Sequence, residues 1–282
     1  MIDLSSLFDK HLFFDERLTY QTVLCHDDKS SYIVKEVGQI EYTNYLKIKD
    51  DNIPILKPIA IAKEGINHYF LYRYYQNYDN IYDLYEKLLR TINIIHSKTN
   101  RLVPIPKMSE FKYKKIAVIA NDKFNLLEMK IRQIELEPVK NDISWIYLSK
   151  YHIVLDVKLE IYKMIKRLKT INDDIYVGIN HGFPSITHFF NDQLASYKYI
   201  KEGAIENDIY KIYLDFDGLD INHFDIIDKY LKYKYSKKYF KLMVLFTYVL
   251  MIDIELNYIT ASKYITITNK MIRFLNQFKT YK

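Results

Sequence analysis

The sequence predicts an α+β fold, in which a small antiparallel sheet precedes a larger and mostly helical part. Three observations predict it. Short segments rich in β-branched and aromatic residues, separated by polar turns, fill the first 75 residues. Helical periodicity then begins and, with one interruption at residues 175–217, continues to the end of the chain. Four of the six glycines cluster in or just after that interruption, at Gly178, Gly182, Gly203 and Gly218.

Residues 10–75 are expected to form three to five antiparallel strands and one small helix. The segments RLTYQTVLCH and SSYIVKEV are separated by HDDKS, a typical polar turn. The segments ILKPIAIA and NHYFLYRYY form a second pair around KEG. Between the two pairs, IEYTNYLKI has the spacing of a short helix. We therefore predict a first domain over residues 1–75 and a second over residues 76–282.

The second domain is predicted to be mostly helical. NYDNIYDLYEKLLRTINIIHSK has one apolar stripe and a plausible N-cap at Asp79 or Asn80. Residues 108–137 and 143–170 have the same periodicity, and prolines separate these segments. A compact β region is expected over residues 175–217, because the glycines that permit strained turns and close backbone approach lie there. The remainder returns to helix.

The composition indicates how large a core the chain can build and which cellular compartment suits it. A chain of 282 residues with 49% hydrophobic residues can build a sizeable core. Its one cysteine, Cys25, excludes an internal disulfide and a thiolate-rich metal cluster, and it favours a reducing, cytoplasmic environment. The N-terminus lacks the pattern of a signal peptide. The most apolar run, residues 242–252, is too short for a membrane span.

The charge of the chain does not indicate a specific nucleic-acid partner. The formal net charge is +6, but the lysines are scattered instead of clustered. Abundant Ile, Lys, Asn and Tyr are typical of an AT-rich, low-GC bacterial genome, so the 28 tyrosines need not form a stacking surface. The glycine spacing also excludes a G-x-G-x-x-G or Walker phosphate loop.

Two segments carry candidate site residues. In GINHGFPSITHFF, His181 and Gly182 follow a β-like run, Phe183 comes next, and His188 lies five residues after Phe183. In IYLDFDGL, Asp215 and Asp217 stand at the end of an apolar segment. If that segment is a strand, both carboxylates face the same side, as a divalent metal site requires.

The order of elements and these segments resemble the protein-kinase-like fold. Within it, they resemble the branch of aminoglycoside and choline phosphotransferases and kinase-like spore-coat proteins. The resemblance implies a bilobal molecule with a small antiparallel β N-lobe, a hinge near HYFLYRYY, and a larger, mostly helical C-lobe. It covers roughly residues 10–260 as an order of elements and rests on few motif residues.

The resemblance also implies roles for individual residues. Lys35 in YIVKEV resembles the strand lysine that contacts the α- and β-phosphates of ATP, and Glu41 resembles the helix glutamate that orients it. The catalytic loop of the family reads H-G-D-x-x-x-x-N, in which Asp accepts the proton of the attacking hydroxyl and Asn holds a metal. The His181 loop has the same frame, with Phe183 at the Asp position and His188 at the Asn position.

In the same family reading, Asp215 resembles the metal-binding aspartate and Asp217 the second acid that often follows it. The predicted metal ligands are therefore Asp215, Asp217 and His188, and the implied cofactors are ATP and Mg²⁺. Phe183 cannot accept a proton, and Mg²⁺ prefers hard oxygen ligands to a histidine nitrogen.

These substitutions favour a pseudokinase or a strongly impaired kinase. We expect that it still binds nucleotide and that it has a structural or regulatory role, with a protein partner or in a spore coat. One alternative is an active ATP-dependent phosphotransferase acting on a small hydroxyl substrate. Another is a metal-dependent phosphoesterase, with ligands suited to Mn²⁺ or Zn²⁺ at His181, His188, Asp215, Asp217 and His223.

Overall fold

The computed structural model describes residues 4–49, 52–74, 80–104, 113–170, 174–231 and 234–280. The chain groups into two compact units, one of Met1–Asn100 with Gly178–Glu202 and one of Arg101–Val177 with Gly203–Lys282. The loop around His181 therefore belongs to the same unit as the N-terminal sheet, whereas the sequence predicts it in the second domain. The domain boundary at residue 75 stays a prediction.

A five-stranded antiparallel sheet forms the first part of the first unit, as the sequence predicts. Its strand order is β1-β2-β3-β5-β4. The strands are β1 (Phe13–Thr19), β2 (Thr22–His26), β3 (Ser31–Val37), β4 (Ala60–Glu64) and β5 (Asn67–Arg73). The structure adds one hairpin within RLTYQTVLCH, where Tyr20 and Gln21 separate β1 from β2.

Alternation along the two central strands creates the core beneath this sheet. Successive side chains of a strand point to opposite faces, so residues two apart share a face. Tyr32 and Val34 of β3, and Tyr69 and Leu71 of β5, are all buried in one cluster with Cys25. A short helix α1 (Leu4–Phe8) packs its apolar side chains against the same cluster.

Two helices and a small hairpin complete the first unit. Helix α2 (Gln39–Ile48) begins directly after β3, with Gly38 between them. Helix α3 (Ile81–Thr99) is capped by Asn80, whose side chain accepts the Tyr82 N–H, as one of the two predicted caps. The hairpin joins β8 (Phe189–Phe190) to β9 (Gln193–Leu194).

The second unit is mostly helical. Its strand β6 (Arg101–Pro104) pairs antiparallel with the first part of β7 (Asp174–Asn180), and the last two residues of the short strand β10 (Lys201–Ala204) also belong to it. Its helices are α4 (Tyr113–Leu136), α5 (Asp142–Lys169), α6 (Glu206–Phe216), α7 (His223–Ile227), α8 (Lys234–Met251) and α9 (Tyr258–Thr280). Within the described ranges, no helix is both long and apolar enough to cross a membrane.

The predicted β region over residues 175–217 is wrong in its last part. Residues 206–216 form helix α6, not a strand that ends at the two aspartates. The cause is visible in the apolar spacing, because Ile209, Ile212, Tyr213 and Phe216 are all buried and recur three and four residues apart. The fold class itself is confirmed: a small antiparallel sheet comes first, and a larger helical part follows.

Candidate functional site

An ion pair between Lys35 and Glu41 is the centre of the candidate site. Lys35 lies on β3 and Glu41 in the first turn of α2, and the Lys35 Nζ atom is 2.6 Å from the Glu41 Oε1 atom. The Lys35 side chain is 20% exposed and the Glu41 side chain 6%. The pair that the family resemblance implied is therefore formed, and it is largely shielded from water.

The segment after β9 completes the surroundings of this ion pair. The Lys35 ammonium also donates to the Ser196 hydroxyl at 3.4 Å, and the Tyr197 N–H donates to Glu41 Oε1 at 3.0 Å. The Tyr197 carbonyl accepts the Asn44 amide at 2.9 Å, and the Tyr197 hydroxyl donates to the Leu56 carbonyl. Burial raises the pKa of the Tyr197 hydroxyl, so it stays a neutral donor.

Ser196 has an uncommon backbone conformation. Its φ is +72°, in the left-handed region, where residues other than Gly, Asn and Asp are disfavoured. Such residues cost on the order of 1–3 kcal/mol and persist where surrounding contacts fix them, often at functional sites. Here the flanking hydrogen bonds of Tyr197 and of Ala195 fix the segment.

The predicted catalytic loop is joined to the same segment. The His181 Nε2–H donates to the Ala195 carbonyl at 2.7 Å, and the Ala195 N–H donates to the His188 carbonyl at 2.7 Å. The φ of Gly182 is +81°, and a Cβ atom there would collide with the backbone carbonyl of Tyr199. Glycine is therefore required at this position for two independent reasons.

Phe183 occupies the loop position at which the family resemblance expects the proton acceptor. The residue is 51% exposed, and the centroid of its ring lies 5.5 Å from that of the His188 ring and 6.1 Å from that of the Tyr199 ring. The His188 Nδ1–H donates to the Phe183 carbonyl at 3.2 Å. The loop has a defined conformation, but the Phe183 side chain offers no basic atom to an attacking hydroxyl.

A cavity of about 370 Å³ opens beside Lys35, within the first unit. This volume lies in the range of small-molecule sites. Most of the lining is apolar or uncharged, and the groups that are or can become cationic are Lys35, Arg73 and His188. The lining residues are Leu18, Thr19, Thr22, Ile33, Lys35, Leu56, Tyr72, Arg73, Thr187, His188, Phe190, Ala195 and Ser196.

Asp215 and Asp217 belong to the second unit, at the end of α6, and not to a strand. Asp215 is exposed. Asp217 is buried, accepts the Tyr248 hydroxyl at 2.7 Å and pairs with the Lys270 ammonium at 2.5 Å. Burial and the nearby carboxylate of Asp217 raise the pKa of Tyr248, so the tyrosine remains a donor. Asp217 is therefore bound by two side chains of the second unit, Tyr248 and Lys270.

The predicted metal ligands belong to different units, His188 to the first and Asp215 and Asp217 to the second. Across the ranges that the structure describes, no group of three or more His, Cys, Asp or Glu side chains could hold a metal ion. The predicted ligand set of Asp215, Asp217 and His188 stays a prediction, as does the larger set with His181 and His223. His223 is buried in the second unit against the Tyr213 ring, at a centroid distance of 5.0 Å.

Sequence reasoning missed Ser196 and Arg73. The sequence does carry a signal for the hairpin that precedes Ser196. Asn191 and Asp192 are residue types that tolerate positive φ, and both adopt it between β8 and β9, as a tight hairpin requires. That hairpin ends at Leu194, so the segment beside Lys35 begins at once after it. A serine, however, does not resemble the metal-binding aspartate of the family, whereas Asp215 does.

Comparisons with known proteins give a fold and no sequence family. No family model matches the chain, and no curated protein matches its sequence. An aminoglycoside phosphotransferase from Alicyclobacillus acidocaldarius superposes with a TM-score of 0.69, at 9% identity, over 98% of this chain and 94% of that chain. A choline kinase from Streptococcus pneumoniae superposes with a TM-score of 0.50, at 14% identity, over 96% of both chains.

A third similar structure contains a nucleotide. It is a thermostable mutant of another aminoglycoside phosphotransferase, in a ternary complex with ADP and hygromycin B, with a TM-score of 0.53, 10% identity and 97% coverage of both chains. At such low identities these likenesses show the fold alone. The chain has the kinase-like fold of small-molecule phosphotransferases.

Proposed function

We propose that this chain with a kinase-like fold is a pseudokinase: it binds an adenine nucleotide beside Lys35 but transfers no phosphate at an ordinary rate. One observation carries the proposal. The Lys35 ammonium, which pairs with Glu41 as in an active kinase, contacts the Ser196 hydroxyl. In a kinase, both the Lys–Glu pair and an aspartate on Mg²⁺ must be in place. We assign the position of that aspartate to Ser196 instead of Asp215.

The loss of activity has two separate physical causes. Phe183 stands at the general-base position, and removal of a general base typically slows a reaction by about 10²–10⁴-fold. Ser196 offers a neutral hydroxyl where a kinase has a carboxylate, and His188 offers an imidazole where it has an amide oxygen, so the attraction for Mg²⁺ is weaker at both positions. Because transition-state charge in phosphoryl transfer is stabilised mainly by positioning and by the metal, loss of both groups leaves little catalysis.

Nucleotide binding is supported by the cavity. Leu18, Ile33 and Leu56 supply apolar surface for a base, and Lys35 supplies a cation for phosphate oxygens. A structure of the same fold carries ADP. We infer a structural or regulatory role for the bound form, in the cytoplasm or a spore coat and through a protein partner. We do not favour the active phosphotransferase, because Phe183 offers no general base in the His181 loop. We do not favour the phosphoesterase either, because no group of three or more His, Cys, Asp or Glu side chains in the described ranges could hold its metal.

Two measurements on the full chain test this proposal. ATP or ADP should raise the melting temperature, because a ligand that binds only the native state stabilises it. Lys35→Met should reduce the shift, whereas Lys63→Met, which changes an exposed lysine of β4, should leave it unchanged. Phosphate release and transfer to hydroxyl acceptors should stay at background in ATP and Mg²⁺.

Either of two results would contradict the proposal. Transfer to any hydroxyl substrate at an ordinary rate would show an active kinase, provided that Lys35→Met abolishes it. The absence of a thermal shift at millimolar nucleotide would leave a scaffold without a nucleotide site.

A further inference from the structure

We propose that Mg²⁺ contributes nothing to nucleotide binding in the cavity beside Lys35, so that metal-free ATP and its Mg²⁺ complex bind equally well. This inference rests on the proposed nucleotide site and specifies the role of the metal there. In an active kinase, metal ions bridge the phosphate oxygens and neutralise their charge. The side chains around this cavity suit direct contact with the phosphates instead.

The lining contains cations and no carboxylate. Of the lining residues in the described part of the chain, none is Asp or Glu, whereas Lys35 and Arg73 carry positive charge. Mg²⁺ in nucleotide sites is usually bound by one or two carboxylates together with the phosphates. With no carboxylate on the wall, a metal gains no protein ligand of the kind it prefers.

Ser196 is the decisive position within this lining. Its left-handed conformation, with φ +72°, is one that Asp and Asn tolerate better than Ser. The backbone is thus shaped as an aspartate would favour, while the side chain is neutral and accepts a hydrogen bond from Lys35. Residue 196 therefore has the backbone geometry of an aspartate next to Lys35, but it lacks the negative charge that attracts a metal.

His188 gives a second, independent reason. Its Nδ1–H is directed at the Phe183 carbonyl, which fixes the ring in the loop. An imidazole suits transition metals better than Mg²⁺, which prefers oxygen.

Arg73 contributes a fork of donors at the end of β5, of which one donates to the Ser30 hydroxyl at 3.2 Å. Guanidinium and ammonium groups contact phosphate oxygens without a bridging ion.

Titration calorimetry of the unmodified full chain with ATP tests this inference. One titration contains EDTA, the other contains excess Mg²⁺, and the ionic strength is equal in both. The two dissociation constants should agree within about twofold. A dissociation constant in Mg²⁺ that differs from the EDTA value by more than this, in either direction, would overturn the inference while leaving the nucleotide site intact. If ATP binds in neither buffer, the proposed function fails as well, so the two failures are distinguishable.

Ser196→Asp is the informative variant. It restores a carboxylate in a backbone conformation that aspartate tolerates, so Mg²⁺ should now tighten ATP binding by about tenfold or more. Ser196→Ala is the matched control, because it removes the hydroxyl without adding charge, and Mg²⁺ should remain without effect. If Ser196→Asp binds ATP with no response to Mg²⁺, residue 196 does not determine metal use and the argument from it is wrong. The titrations of the unmodified chain decide the main point even if this variant does not fold.

Discussion

Lys35 and Glu41 form an ion pair of 2.6 Å although they are only six residues apart in the chain. The short separation is possible because β3 ends at Val37 and α2 begins at Gln39, with Gly38 as the only residue between them. Glu41 then lies in the first turn of the helix, where a negative charge interacts favourably with the helix dipole. One carboxylate thereby connects β3, α2 and the Tyr197 backbone.

Removal of Glu41 should destabilise the first unit strongly. Glu41→Ala leaves the Lys35 ammonium, which is mostly shielded from water, without its carboxylate, and it removes the acceptor of the Tyr197 N–H. Breaking a buried pair from one side costs about 3 kcal/mol. Urea unfolding should therefore show a free energy of unfolding lower by about this amount.

The matched control for this prediction is Glu64→Ala, which changes an exposed glutamate of β4. Exposed substitutions usually change stability by less than about 0.5 kcal/mol. Equal effects of the two variants would mean that the ion pair contributes nothing beyond an ordinary surface charge.

Three glycines give a graded test of the loop geometry. Gly38→Ala should be nearly neutral, because its φ is −74° and no atom lies within 4 Å of the added Cβ. Gly65→Ala should cost about 1–2 kcal/mol, because only its left-handed φ of +59° is unfavourable. Gly182→Ala should cost more than either, because a left-handed φ and a collision with the Tyr199 carbonyl add together.

Thermal or urea unfolding of the three alanine variants checks this order. A Gly182→Ala variant as stable as Gly65→Ala would show that the loop relaxes away from Tyr199. The conformation of the His181 loop would then be less constrained than its contacts indicate.

The sheet was predictable from sequence because its signals are local. The turn around Asp27 and the turn at Gly65 are polar segments between apolar strands, and the sequence predicts both. The short helix between them was also found. The predicted strand before Asp215 and Asp217 is wrong, because the two aspartates resemble a motif that follows a strand. The helical spacing of Ile209, Ile212 and Phe216 instead determines the local structure.

The candidate site was predictable only where it keeps charged residues. Lys35 and Glu41 were identified because a lysine in an apolar strand and a glutamate in the next helix are visible as residue types. The contact between Lys35 and Ser196 joins residues 161 positions apart and uses a neutral hydroxyl. No local pattern marks such a residue, so only the folded chain brings it to the lysine.

Stability should fall as the pH is lowered from 7 to 4, in part because of His223. Burial is the largest cause that lowers the pKa of His223 to about 4, Arg273 lowers it further, and a hydrogen bond to the Leu219 backbone opposes the shift. The unfolded chain, with a histidine pKa near 6.5, binds more protons in this interval, so the free energy of unfolding decreases as the pH falls. The group contributes a loss of about 3 kcal/mol, complete below pH 4.

Urea unfolding at pH 7 and at pH 4 measures this loss. His223→Gln removes the titrating group, so the difference between the two pH values should shrink by most of this amount. His11→Gln, at an exposed histidine, is the control. If the two variants have the same pH dependence as the unmodified chain, His223 does not limit acid stability.

Cys25 should report the opening of the N-terminal sheet. It is fully buried in the cluster with Tyr32 and Leu71, and burial raises the pKa of its thiol to about 11. The thiolate is the reactive form, so a disulfide reagent such as DTNB should modify the native protein at least about a hundredfold more slowly than the unfolded chain. Because Cys25 is the only cysteine, the absorbance change comes from this one position.

The same reaction distinguishes burial from a low intrinsic reactivity. Leu71→Ala removes a side chain that packs in the Cys25 cluster, and such a change costs about 2–5 kcal/mol. If the reagent reaches Cys25 through local opening, the native reaction should accelerate at least about tenfold. Ile66→Ala, at a side chain that is 89% exposed, should leave the rate unchanged. A native rate equal to that of the unfolded chain would mean that Cys25 is not buried in solution, and the packing between β2, β3 and β5 would then be wrong.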